Sequence, residues 1–201
     1  MGITPHQFKQ MQERLGGSRR ATPVFETVST ALSRPHETIL GLDPSLRGTG
    51  YGIIRLAKPF PQTLAHGTIA CSANWPHSRC LLQIVQGLRE VVQRHRPTLC
   101  VVEGLFYAQN LQTALVMGEA RGAAMAAAAE AGLEICELAP RKMKQAIVGY
   151  GAAQKVAVAK MVQRLLHLPE VPQADAADAL ALALAHAQGN GRFGFAPPKR
   201  I

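Results

Sequence analysis

Two aspartates, Asp175 and Asp178, interrupt the Ala/Leu run PQADAADALALA (172–183), a segment otherwise suited to burial. On a helix, positions three apart share one face with Cβ atoms about 5–6 Å apart, so two carboxylates there repel by about 0.2–0.5 kcal/mol. Aspartate is also a weak helix former. A helix starting near Pro172 or Gln173 would set acidic side chains in its first turn, against the positive end of the macrodipole. That accounts for one aspartate better than for two. A pair pointing the same way beside Leu180, Leu182 and Leu184 suggests a cation held between them.

Two more acids end apolar runs: Asp43 closes ILGLD and Glu103 closes CVVE. A carboxylate at such a place is costly unless it is paired or coordinated. Either acid alone has an ordinary explanation, Asp43 as a cap of the turn PSLRG and Glu103 as a strand-end ion pair. If their strands are neighbours, however, the two lie side by side. Adding Asp175 and Asp178 gives four oxygen-donor side chains from three distant segments, a set suited to magnesium or manganese. Four crowded carboxylates repel strongly, and two divalent ions about 3.5–4 Å apart are their natural counter-charge. This is the composition of a phosphoryl-transfer site.

The elements that must position these acids follow from periodicity and punctuation. ETILGLD reads as a strand, PSLRGTG as a Gly-rich turn, and YGIIRLA and LAHGTIA as further strands. From Pro76 to Arg96 the residues Leu81, Leu82, Ile84, Val85, Leu88, Val91 and Val92 recur at helical spacing until Pro97 stops them. LCVVEG is a short buried strand, and a long helix runs from Asn110, a cap residue, to Gly132. LEICELA is a fifth strand. PRKMKQAIVG, AQKVAVAKMVQRLLHL and QADAADALALALAHAQ are helical. The order predicts an antiparallel meander followed by crossover units, an α/β fold with a mixed five-stranded sheet flanked by helices on both faces. Residues 1–36 lack periodicity and read as a weakly ordered extension, 37–188 as the folded domain, and 189–201 as a flexible basic tail.

The 201 residues suffice for one full core. No apolar run reaches the roughly 18–20 residues of a membrane span, and the N-terminus has no signal-peptide core, so a cytoplasmic protein without membrane contact is expected. Cys71, Cys80, Cys100 and Cys136 stand apart without zinc spacing and are expected as reduced, partly buried thiols. Lys and Arg number 22 against 13 Asp and Glu, a net charge of +9. From Leu138 to Pro169 the charges are Arg141, Lys142, Lys144, Lys155, Lys160 and Arg164, with no acidic residue among them. Surfaces usually mix signs, so this one-sign segment is the footprint of a polyanion.

Taken together, GLDPSLRGTGYGII, VVEGLFYAQN, MGEARGAA, KQAIVGYGAAQK and PQADAADALALA resemble the RuvC family of Holliday junction resolvases, crossover junction endodeoxyribonucleases of RNase H-like fold, over about Thr38 to Ala187. The resemblance implies that Asp43, Glu103, Asp175 and Asp178 are the acidic metal ligands, for Mg2+, two ions per subunit, with Mn2+ able to substitute. It implies that Lys144 and Lys155 act beside the scissile phosphate, that Phe106 stacks at the opened junction centre, and that Arg141 and Lys142 contribute to DNA binding. It further implies a homodimer that nicks two opposed strands of a four-way junction during recombination and repair, leaving 5′-phosphate and 3′-hydroxyl ends, in partnership with a branch-migration helicase complex. Two positions depart from the family pattern. Ser45 stands where glycine is usual after Asp-Pro, narrowing the turn, and Gly104 stands where glutamine is common, removing a side-chain contact near the junction.

Rival readings are an actin-like sugar kinase, whose phosphate loop DPSLRGTGYG also resembles, and a catalytically silent RNase H-like adaptor. The kinases are much longer chains with a second nucleotide-binding half. An adaptor would lack a ligand, and none of the four is missing here. A related hydrolase acting on RNA is separated by cleavage of RNA hybrids. For the dimer, Ala114, Gly118 and Gly122 recur every four residues on the long helix and either admit a second copy or pack on the protein's own sheet.

Overall fold

The computed structural model describes residues 37–104, 110–189 and 199–200. Strands β1 (Thr38–Asp43), β2 (Gly48–Arg55) and β3 (Gln62–Ala70) form the antiparallel meander. Helix α1 (His77–His95) then crosses to β4 (Leu99–Glu103), and α2 (Leu111–Glu130) crosses to β5 (Glu134–Leu138). Helices α3 (Pro140–Val148), α4 (Lys155–Leu165) and α5 (Ala174–Gly189) follow. The sheet order is β3-β2-β1-β4-β5, with β1, β4 and β5 parallel, as the meander-plus-crossover pattern predicts. A two-residue strand, β6 (Lys199–Arg200), adds antiparallel to β5 from within the segment read as a tail.

Alternation along the strands sorts the core into two layers. Leu40, Leu42, Cys100 and Val102 face one way and pack with Cys80, Ile84 and Leu88 of α1 and Ala120, Ala124 and Ala127 of α2. Ile39, Leu99 and Val101 face the other way and pack with α3, α4 and α5. The four cysteines are buried and none is joined in a disulfide. Among the described residues, no helix is long and apolar enough to cross a membrane.

The strand β2 begins at Gly48, inside the stretch that sequence punctuation assigns to a turn. Those glycines are extended because α5 lies directly on them. A Cβ on Gly50 would come within 2.1 Å of the Asp175 carbonyl oxygen, and one on Gly41 within 1.9 Å of the Ala179 carbonyl oxygen. With α3 and α4 on its other side, α5 is buried continuously from Ala176 to His186. A continuous apolar run therefore reads here as a central helix rather than a surface one.

Gly50→Ala should lower unfolding stability by at least the roughly 1–3 kcal/mol typical of overpacking, because the new methyl meets backbone that cannot rotate away. Urea unfolding with an unchanged m-value is the measurement. Wild-type stability in the variant would contradict the direct seating of α5.

Candidate active site

Register brings the first two acids together. Leu42 pairs with Val102 across the parallel β1–β4 ladder, so Asp43 and Glu103 are the next residue on each strand and share the face that carries α5. Across the antiparallel neighbour Asp43 sits opposite Gly50, over which the backbone of Asp175 passes. Asp175 occupies the first turn of α5 and Asp178 lies one turn deeper. The macrodipole thus favours Asp175, while Asp178 lies beyond the turn in which that effect acts.

The electrostatics are those of like charges forced into low dielectric. Burial pushes the Glu103 carboxyl up to about 8, helped by the charge of Asp43, by its hydrogen bond to Asp43 and by the charge of Asp178. Asp43 is also raised, chiefly by burial and further by Asp178 and Asp175, although the hydrogen bond from Glu103 and the charge of Lys155 oppose this. The hydrogen bond between them raises Glu103 and lowers Asp43, so Glu103 is its donor and Asp43 its acceptor. Asp178 is only 4% exposed; its Oδ2 lies 3.0 Å from Lys155 Nζ, and its Oδ1 is buried with no hydrogen-bond partner among the described residues. Burial works against the charge on Lys155, but its hydrogen bond to Asp178 and the charges of Asp178, Asp43 and Asp175 outweigh burial and raise its pKa.

An orphaned buried carboxylate oxygen costs about 1–3 kcal/mol or more. Together with two carboxyls raised by burial and by their carboxylate neighbours, it fits a hard cation in donor type and in sign. In this arrangement no three described carboxylates converge at coordination spacing. Asp43 and Glu103 share a proton instead, and Asp178 takes its counter-charge from Lys155.

Lys155 opens α4, whose first turn has no acidic residue. A lysine at a helix N-terminus opposes the macrodipole by about 0.3–1 kcal/mol, so its placement is explained by Asp178 rather than by its own helix. Lys144 is half-buried on α3 and makes no ion pair among the described residues, while Arg141 and Lys142 are exposed in the first turn of that helix. Phe106 lies outside the described residues.

Several supporting residues escape a reading by residue type. Thr49, fully buried, donates its hydroxyl to the Ser45 carbonyl at 2.8 Å and accepts from the Ser45 N–H at 3.4 Å, closing the turn after Asp43. Ser45 fits there without strain, since Arg96 and His167 are the non-glycine residues with positive φ among those described. At Gly104 a Cβ would lie 3.3 Å from Glu137 Cγ and Oε1, and Glu137 is itself paired with the buried guanidinium of Arg121. Glycine at 104 thus makes room for an ion pair beside the end of β4. An arginine inside an Ala-rich helix was the available signal for that pair.

The family model described as crossover junction endodeoxyribonuclease RuvC matches residues 39–186. A relative of that name from Chromohalobacter salexigens is 45% identical over 163 residues, 81% of this chain and 86% of the relative. Another from Tolumonas auensis is 47% identical over 148 residues, 74% of this chain and 85% of its own. Among solved structures, T. thermophilus RuvC in complex with Holliday junction substrate is similar with a TM-score of 0.73 and 34% identity, over 82% of this chain and all of that one.

Glu103 supplies a pH dependence whose sign follows from its raised pKa. The folded state keeps a proton that the unfolded chain releases above about 4.5, so this contribution is full at acid pH and is lost as pH rises through about 8. In chelator, the unfolding midpoint should fall between pH 6 and pH 9, and Glu103→Gln should flatten that fall. An equally steep profile in the variant would remove Glu103 as the source.

Proposed function

The chain belongs to the RuvC family of crossover junction endodeoxyribonucleases, and we propose on that premise that it resolves four-way DNA junctions by hydrolysing one phosphodiester in each of two opposed strands. The single observation that carries the assignment of the cutting site is the buried Oδ1 of Asp178, without a hydrogen-bond partner among the described residues, in a cluster where burial and neighbouring carboxylates raise Asp43 and Glu103. Asp43, Glu103, Asp175 and Asp178 would hold magnesium, two ions per subunit, with manganese able to substitute. When bound, such ions activate a water and stabilise the departing 3′ oxygen, leaving 5′-phosphate and 3′-hydroxyl ends.

The chain's own residues do the rest. Glu103 would act as a ligand in its ionised form, its proton passing to solvent, with Asp43 beside it on the sheet and Asp178 on the helix supplying further oxygens. Lys155, 60% exposed at its side chain, swings from Asp178 toward the phosphate and stabilises charge developing there, with Lys144 in the same role. Phe106 covers an unpaired base at the junction centre. The boundaries at 37 and 188 belong to this reading, as do work with a branch-migration complex and a cytoplasmic location.

Pairing two cuts needs two sites related by a two-fold axis, hence a homodimer. Support comes from α2. A Cβ on Gly118 or Gly122 would meet nothing within 4 Å, so these glycines face open space and do not pack on the protein's own sheet. Beside them Leu111, Leu115 and Met117 are exposed at 76%, 54% and 36%. Leu111, Leu115, Gly118 and Gly122 fall at helical spacing along one face, a stripe on which a second α2 can approach closely.

Glu103→Gln and Asp175→Asn should abolish nicking of a synthetic mobile junction in magnesium while junction binding persists, since each removes a ligand and a negative charge but no basic surface. Gel shift beside cleavage decides this. Loss of both in a folded variant would count against ligand roles. Gly118→Leu should give a monomer by light scattering that nicks singly, slowly or not at all, and an intact dimer with paired nicking would move the interface elsewhere.

A further inference from the structure

Beyond the acid cluster, the basic segment builds a second feature that the cutting chemistry does not use. Arg141 and Lys142 of α3 face Tyr150 and Gly151 of the α3–α4 turn across an open depression of about 360 Å³, with Gln145 and Ala152 completing its wall. Neither cation has an acidic partner among the described residues. Tyr150 is 64% exposed, so its ring is not held by the core. Its backbone nevertheless is held firmly. Gly149 closes α3 in the left-handed region at φ +82° and donates its N–H to the Gln145 carbonyl. Gln145 Nε2 donates back to the Gly149 carbonyl at 2.8 Å, and the Tyr150 carbonyl accepts from Ala153 N–H at 3.1 Å. The turn also rests on α3, since a Cβ on Gly151 would lie 3.1 Å from the Arg141 carbonyl oxygen.

A rigid turn that presents a bare aromatic beside two unpaired cations has the makings of a nucleic-acid contact, with charge for the backbone and a ring face for the sugar or base. We propose that this cradle grips the cut DNA strand outside the cutting site, with Arg141 and Lys142 on backbone phosphate and the Tyr150 ring packed on the neighbouring nucleoside. The inference rests on the reading of the chain as a DNA-junction enzyme and adds a place where the flank of the cut is held. The turn leads directly into Lys155, which faces the acids. Those five residues span at most about 18 Å of chain, and the phosphates of one strand recur about every 3.4 Å of helix axis, so the cradle lies within about five nucleotide steps of a phosphate beside Lys155.

The test is binding of a synthetic four-way junction in chelator, which is read independently of cutting. Arg141→Ala/Lys142→Ala should weaken binding about tenfold and lower the slope of log affinity against log salt by about two. Tyr150→Ala should weaken it about tenfold and Tyr150→Phe less than twofold, because the ring face rather than the hydroxyl makes the contact. Replacing single phosphates within five steps of the cut by neutral methylphosphonates should cost the wild type affinity at one or two positions, and the double variant should be insensitive there. Unchanged affinity and slope in the double variant, Tyr150→Phe as weak as Tyr150→Ala, or equal methylphosphonate sensitivity in both proteins would overturn the proposal. Intact cradle effects in a protein that never nicks would instead overturn the nuclease reading and leave the cradle standing.

Discussion

The seating of α5 on the bare faces of Gly41 and Gly50 is the contact from which the site follows. Helix backbone touches strand backbone there, closer than any side chain permits. That proximity carries Asp175 and Asp178 to the level of the strand ends, where Asp43 and Glu103 emerge. The same contact excludes water and so raises the cost of every charge it assembles. Tight packing and electrostatic strain are thus one feature seen from two sides.

The two faces of the sheet divide the work. On the α1–α2 side the strand residues are apolar and the packing is ordinary core, with α2 turning a second, open face outward. On the α5 side the strands end in carboxyls. Around that negative centre the chain wraps a segment, Leu138 to Pro169, whose charges are all positive. One-sign charge of this kind attracts a polyanion to the rim, while the carboxylates at the centre repel one. Lys155 stands at the border between the two regions, set at the unfavourable end of its helix and tied to Asp178.

The end of β4 shows how a departure from the family pattern is absorbed. Without a side chain at Gly104, Glu137 fills the space and Arg121 neutralises it. The pair is buried enough that losing one partner would strand the other, so it ties α2 to the sheet beside Glu103. A helix that faces the core on one side and open space on the other is thereby anchored by a charge as well as by alanines.

Much of this was legible in residue order. Short apolar runs ended by acids located β1 and β4, 3.6-residue periodicity located α1, Asn110 capped α2 with its side chain on Gln112 N–H, and chain order implied the mixed sheet. The four acids stood out as candidates in combination, because a carboxylate in an apolar run is costly unless it is paired or coordinated. Tertiary structure decided what depends on distance across the chain. It extended Gly48–Gly50 into β2, where local propensity indicated a turn, because α5 needs a surface without Cβ atoms. It turned Gly118 and Gly122 outward, which spacing alone leaves open since both faces of a helix repeat alike. It paired Lys155 rather than Lys144 with Asp178, and gave Glu103 rather than Asp43 the shared proton. Those outcomes turn on burial and on separations of a few ångströms between segments distant in the chain, and a linear pattern carries neither.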